Sequence, residues 1–163
     1  MCSSDLGGYG RGELLPQSDI DLLILLERNN HRLHRDNIQS FTTMLWDIGL
    51  EIGHSVRSIN ECRAQAGADV TVVTAMMEAR MIDGDDELLQ QLTRKIAPAR
   101  IWSAKAFYTA KRNEQIARHE KSDHTESSLE PNIKTSPGGL RDIQTLGWVG
   151  LRQYGARSFA ELE

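Results

Sequence analysis

The run from Ile20 to Leu26 constrains this chain most, because six of its seven residues are apolar and the seventh, Asp21, is acidic. A nearly continuous apolar run of this length, closed by polar residues at 28–30, is typical of a β-strand buried on both faces. An acidic side chain inside such a strand needs a reason. The run therefore predicts a packed sheet and directs attention to Asp21.

Hydrophobic periodicity along the rest of the chain predicts a mixture of helices and strands. Apolar residues recur at helical spacing over about 34–48, and residues 50–56 alternate at the strand period. Further helices are predicted over 70–79, 86–96, 99–120 and 140–154, with a short strand at 80–82.

The fold class predicted from this order is α+β, with a small mixed sheet flanked by helices. We assign residues 7–97 to this α/β core and residues 98–163 to a helical unit that is truncated at its C-terminus.

Capping residues mark several of the predicted helix starts. Ser58 is followed three residues later by Glu61, which fits a capping box. Asp69 is placed to cap the next helix, and Asp85 or Asp86 the one after it.

Composition excludes several classes of protein. A formal net charge of −4 argues against general nucleic-acid binding, which requires a basic face. No apolar run approaches the roughly 20 residues that span a bilayer, and the first residues do not resemble a secretory signal. Cys2 and Cys62 lack the spacing of a metal site or a disulfide framework. We therefore expect a cytoplasmic protein that binds neither nucleic acid nor membrane.

The segment before the buried strand combines glycines with acidic residues. Glycines such as Gly7 and Gly8 let the backbone approach a ligand and turn its N–H groups toward phosphate oxygens, and Arg11 adds a planar cation. Asp19 and Asp21 are two residues apart, so their side chains leave the same face of a strand. Paired carboxylates repel unless a divalent cation lies between them, and hard oxygen ligands favour Mg²⁺, with Mn²⁺ as the alternative.

Each part of this segment is weak evidence alone. The glycines fit neither the dinucleotide nor the P-loop fingerprint, and an Asp-x-Asp pair is often a solvated strand end. Together, a phosphate-binding loop and paired metal ligands predict transfer of a nucleotidyl group. Ser18 either donates a hydrogen bond to a phosphate or caps the turn before the strand.

Residues 7–22 resemble the nucleotidyltransferase signature of the DNA polymerase β superfamily, in which a Gly-Gly pair precedes an Asp-x-Asp that enters a strand. The resemblance implies that Asp19 and Asp21 bind metal and that a third carboxylate lies on a neighbouring strand. Glu51 is the best match for it, and Asp47 is the fallback. A solvent-facing Glu51 on an edge strand is the alternative interpretation.

Residues 45–57 and 129–146 resemble PII uridylyltransferase/uridylyl-removing enzymes, and the similarity extends over nearly the whole chain after residue 6. It implies transfer of UMP from UTP to a tyrosine of the signal protein PII, with release of pyrophosphate. Lys134 and Arg141 could then contact the triphosphate, beside free N–H groups at the helix start that follows residues 137–139. The alternative is that Arg141 forms a structural ion pair with Asp142.

The chain departs from the family pattern in two ways, and two other functions stay open. Family members have an apolar strand before the Gly-Gly pair, whereas residues 1–6 do not have the pattern of a buried strand. The family enzyme is also longer, so we expect the transferase part alone, and an inactive fragment is one interpretation. Two other functions stay open: transfer to another hydroxyl acceptor, and nucleotide binding by a non-catalytic regulatory fragment. His54, on a face with apolar residues, is expected in the core.

Overall fold

A computed structural model describes residues 2–6, 20–28, 30–123, 132–156 and 158–162 of the 163-residue chain. The chain divides into two compact units, Met1–Ala97 and Pro98–Glu163. Within the described residues, no helix is both long enough and apolar enough to cross a membrane.

The first unit is built on a mixed four-stranded sheet. Its strands are β1 (Cys2–Leu6), β2 (Ile20–Leu26), β3 (Ile52–Ser58) and β4 (Arg80–Gly84), in the spatial order β3-β2-β1-β4. Strands β2 and β3 are parallel, and β1 pairs antiparallel with both β2 and β4. The predicted class, a small mixed sheet with helices, is confirmed.

Strand β1 corrects the sequence analysis, which found no strand before the glycines. It lies between β2 and β4, with Cys2 opposite Leu25 on one side and Gly84 on the other. The segment reads Cys-Ser-Ser-Asp-Leu, which carries little local strand signal. Its pairing with two distant segments supplies backbone hydrogen bonds that a local pattern does not reveal. The sheet therefore does contain a strand before the glycines, although residues 1–6 lack the sequence pattern of a buried strand.

Four helices of this unit are described: α1 (His31–Asp47), α2 (Ile59–Ala68), α3 (Val70–Met77) and α4 (Asp86–Lys95). The predicted capping box of α2 is confirmed, since the Ser58 hydroxyl accepts from the Glu61 amide and the Glu61 carboxylate accepts from the Ser58 amide. The carboxylates of Asp69 and Asp85 likewise accept hydrogen bonds from backbone amides two residues later. These capping side chains therefore determine where the helices begin.

The core of the first unit surrounds β2, as the apolar run predicted. All five residues from Leu22 to Leu26 are buried. Ile24 and Leu26 pack with Ile38 of α1 and with Val56 of β3. Asp21, at the start of the strand, is exposed, so its carboxylate reaches solvent and avoids the cost of burial.

The second unit contains helices α5 (Ala104–Asp123) and α6 (Leu140–Tyr154), followed by a short 3₁₀ helix over Phe159–Leu162. Phe107 of α5 and Trp148 of α6 are buried. The buried Arg152 guanidinium donates to the carbonyl oxygens of Ile101 and Trp102, and so ties α6 to the turn before α5. These hydrogen bonds satisfy a cation that would otherwise be costly to bury.

Candidate functional site

The residues predicted to form the site fall into two groups. Asp21, Glu51, Lys134 and Arg141 are described by the structure. The others lie outside the described residues, and their roles stay predictions: Gly7, Gly8, Arg11, Ser18 and Asp19.

Asp21 and Glu51 come together through the parallel pairing of β2 and β3. In this register Asp21 lies opposite Gly53, so the two residues share a face of the sheet. The Ile20 amide donates to the Glu51 carbonyl oxygen at 3.2 Å, which extends the pairing one residue beyond β3. Two carboxylates that are 30 positions apart in sequence are thereby placed at one end of the strand pair.

A cavity of about 420 Å³ opens at this end of the strands. Its lining residues are Asp21, Trp46, Leu50, Glu51, Ile52 and Gly53. Both acidic residues are exposed, so their carboxylates are accessible to a ligand that enters the cavity.

Gly53 makes room for the Asp21 carboxylate. A Cβ at Gly53 would lie 2.8 Å from Oδ1 of Asp21, closer than real Cβ contacts allow. The backbone of Gly53 lies outside the left-handed region, so the neighbouring carboxylate is what excludes a side chain here. The absence of a Cβ at Gly53 therefore leaves a space that the Asp21 carboxylate occupies, and we call this space the Asp21 cradle.

The donor set fits a hard divalent cation. Asp21 and Glu51 offer carboxylate oxygens in one cavity, and such oxygens are the ligands that Mg²⁺ and Mn²⁺ prefer. The part of the chain that the structure describes holds no group of three or more His, Cys, Asp or Glu residues suited to a metal. Asp19, which the sequence adds to the pair, lies outside that part.

The fallback carboxylate, Asp47, lies elsewhere. It ends α1 and lines a separate cavity of about 510 Å³ along that helix, together with residues such as Asp36 and Met44. The geometry therefore associates Glu51, and not Asp47, with Asp21.

His54 corrects the expectation of a core histidine, because its side chain is exposed. β3 is an edge strand, and alternation along it does not guarantee cover on both faces. The Trp46 ring packs edge-on against His54, with centroids 5.9 Å apart. Trp46 is a lining residue of the cavity that the sequence analysis did not single out.

The start of α6 is a second correction. Its first N–H groups were expected to be free for an anion, but the Leu140 and Arg141 amides each donate at 2.9 Å to backbone carbonyls, those of Ile133 and Lys134. Gly139 donates to the Ser136 carbonyl. The turn folds back on the helix and uses these donors itself, so only side chains remain to bind a phosphate here.

The Arg141 guanidinium lies 5.4 Å from the centre of the Trp148 ring, a cation–π arrangement. The neighbouring Lys134 side chain is exposed. The alternative ion pair between Arg141 and Asp142 is not the arrangement found, because the Asp142 carboxylate has other partners.

Asp142 joins α5, α6 and the turn between them. Its carboxylate accepts from the side-chain Nε2 of Gln115 at 2.8 Å and from the backbone N–H of Gly138 at 2.7 Å, and it pairs with Arg118 and, at 3.0 Å, with His119. Burial acts to raise the pKa of Asp142, but the hydrogen bonds from Gln115, Gly138 and His119 outweigh it and hold that pKa at about 2. Asp142 is therefore ionised and structural.

Comparison with known proteins defines the class first. Residues 6–96 match the family model described as "Nucleotidyltransferase domain", which covers more than half of the chain, so the chain belongs to the nucleotidyltransferase domain family. Residues 106–163 match a second model, "GlnD PII-uridylyltransferase".

Curated relatives show which members of this family the chain resembles. The chain is 56% identical over 157 residues, 96% of its length, to the bifunctional uridylyltransferase/uridylyl-removing enzyme of Pseudomonas fluorescens (strain SBW25). It is 58% identical over 150 residues, 92% of its length, to the enzyme of that name from Pseudomonas putida (strain W619). It spans 17% of each of these relatives. The resemblance stated from the motifs is confirmed.

Proposed function

We propose that this chain transfers UMP from UTP to a tyrosine hydroxyl of the signal protein PII. The observation that carries the proposal is the cavity in which Asp21, cradled over Gly53, lies beside Glu51. The nucleotidyltransferase family supplies the reaction class, and the names of the relatives supply the uridylyl group. The description of the second family model supports PII as the proposed acceptor, and the sequence composition supports the proposed cytoplasmic location.

In the proposed reaction the tyrosine oxygen forms a bond to the α-phosphorus of UTP. The bond from that phosphorus to the bridging oxygen of the β-phosphate breaks, the phenol proton is released to water, and pyrophosphate leaves. The products are pyrophosphate and a phosphodiester between UMP and the tyrosine. Asp21 and Glu51 line the cavity in which this exchange is proposed to occur.

We propose Asp19, Asp21 and Glu51 as the ligands of Mg²⁺ or Mn²⁺. When bound, such cations neutralise triphosphate charge, activate the attacking oxygen and stabilise the leaving pyrophosphate. Gly53 keeps the Asp21 carboxylate free to act as a ligand by leaving space for its Oδ1. The negative charge of two carboxylates in one cavity also favours a cation over an anion there.

The phosphates of UTP are proposed to contact the glycine segment, through Gly7 and Gly8, with Arg11 and Ser18. Lys134 and Arg141 stay proposed nucleotide contacts through their side chains alone, since the backbone amides at the start of α6 are occupied.

Labelled UTP tests the proposal. The protein is incubated with PII, Mg²⁺ and UTP that carries the label on either the α- or the γ-phosphate. Label on PII from the first substrate, and none from the second, is the expected result. Asp21→Asn serves as the inactive control. Absence of α-label on PII, with label on a small hydroxyl compound instead, would overturn the choice of acceptor.

A further inference from the structure

A tryptophan lines the cavity beside the carboxylates. Trp46, near the end of α1, is 51% exposed, although large aromatic side chains usually bury most of their surface. It lines the same cavity as Asp21 and Glu51. Leu50, 37% exposed, lines it too, and together the two side chains give the cavity an apolar wall.

The Trp46 ring is held in place from β3. Its Nε1 donates a long hydrogen bond of 3.5 Å to the Ile52 carbonyl oxygen. Its ring meets the His54 ring edge-on, with an angle of 60° between the planes. The His54 side chain follows Gly53 and so leaves the sheet on the face opposite Asp21. Ile52 is the first residue of β3, so the indole lies at the end of the strand pair, where the cavity opens. These two contacts favour one orientation of the ring, which lowers the entropy it loses when it binds a ligand.

We propose that Trp46 binds the aromatic ring of the acceptor tyrosine and directs its hydroxyl toward Asp21 and Glu51. An aromatic wall favours a planar, partly apolar ligand. The reacting oxygen of a tyrosine is attached directly to its ring, so the ring must bind next to the carboxylates. The base of UTP is separated from the reacting phosphate by the ribose, so it need not bind there. This inference rests on the proposed function, since it names how that function selects its acceptor.

Steady-state kinetics of three variants test the inference, with PII and UTP varied separately. Trp46→Ala is expected to raise the KM for PII by about ten-fold, the loss typical of an aromatic contact, and to leave the KM for UTP within about two-fold. Trp46→Phe keeps a ring and is expected to recover most of the loss. Phe41→Ala is the matched control, because Phe41 is a half-exposed ring on the same helix outside the cavity.

Calorimetric binding of PII to the wild-type and Trp46→Ala proteins, without turnover, separates the two proposals. Weaker PII binding by the variant than by the wild type supports the role of Trp46, whether or not the wild type transfers UMP. Failure of the wild type to transfer UMP would overturn only the proposed function. Equal PII binding and an unchanged KM for PII would overturn the role of Trp46. A Trp46→Ala effect on UTP instead of PII would overturn it as well, and would assign the ring to the base.

Discussion

Gly53 lies opposite Asp21 in the parallel pair of β2 and β3, and a Cβ at Gly53 would stand 2.8 Å from Oδ1 of the Asp21 carboxylate. The two positions are therefore sterically coupled. The proposed metal ligand keeps its position only while its neighbour has no side chain.

Gly53→Ala should displace the Asp21 carboxylate and weaken metal binding. We expect a change in stability below about 1 kcal/mol, because the new Cβ would meet only the end of an exposed side chain, which can rotate away. The Mn²⁺ concentration for half-maximal binding by calorimetry should rise, because the carboxylate leaves its position. In an Asp21→Ala background the same substitution should not weaken Mn²⁺ binding further, since the opposing oxygen is gone. Gly147→Ala is the control, because a Cβ there meets nothing within 4 Å. An equal loss of Mn²⁺ affinity in both backgrounds would contradict the coupling.

Replacement of the acidic residues should separate chemistry from stability. Asp21→Asn and Glu51→Gln should abolish UMP transfer and leave the melting temperature unchanged or slightly raised, because each removes one charge from a repelling pair. Asp47→Asn, at the end of α1 in another cavity, should retain activity. Activity that survives Glu51→Gln but not Asp47→Asn would reverse the assignment of the third carboxylate.

The stability of the second unit should depend on pH through Asp142. The pKa of this carboxyl falls from an ordinary 3.8 to about 2, so its ionised form favours the folded state. The stabilisation, about 2 kcal/mol, is complete above about pH 5 and is lost as the pH falls through about 2.

Thermal unfolding of the wild type and of Asp142→Asn, followed from pH 7 to pH 2, measures this difference. The gap between the two melting temperatures should narrow in the acid range. A gap that stays constant down to pH 2 would show that the charge of Asp142 does not stabilise the fold.

Arg141→Ala tests the proposed nucleotide contact in the second unit. A role in binding the β- and γ-phosphates predicts weaker UTP binding, by about ten-fold or more, with UMP binding spared. A melting temperature that falls while the ratio of UTP to UMP affinity stays constant would instead assign the guanidinium to packing on Trp148. Calorimetry and thermal unfolding of one variant therefore distinguish the two roles.

Local signals in the sequence predicted local structure well. The buried run at β2, the capping box at Ser58 and the alternation of β3 each depend on residues that are close in sequence. Local signals did not predict strand β1, because this segment becomes a strand through its pairing with β2 and β4, which are distant in sequence. The occupied amides at the start of α6 and the exposed ring of His54 likewise depend on how the chain folds back on itself.

The sequence likewise predicted some residues of the site and missed others. Asp21 and Glu51 followed from a motif and its resemblance, and the structure brings them into one cavity. Gly53 and Trp46 were not identified, since a glycine in a strand and a tryptophan near a helix end have no role until the register of β2 and β3 is known.

Among the residues that the structure describes, the six that line the cavity belong to one crossover, in which β2 leads through α1 to β3. The chain returns to the cavity 32 positions after leaving it, from Asp21 to Gly53, and no described residue of β1 or β4 lines it. This part of the site, the Asp21 and Glu51 carboxylates with the wall beside them, can therefore be inherited, transplanted or redesigned as one contiguous segment. A protein engineer who wishes to change the acceptor would therefore vary the walls of this segment and hold positions 21 and 53 fixed together.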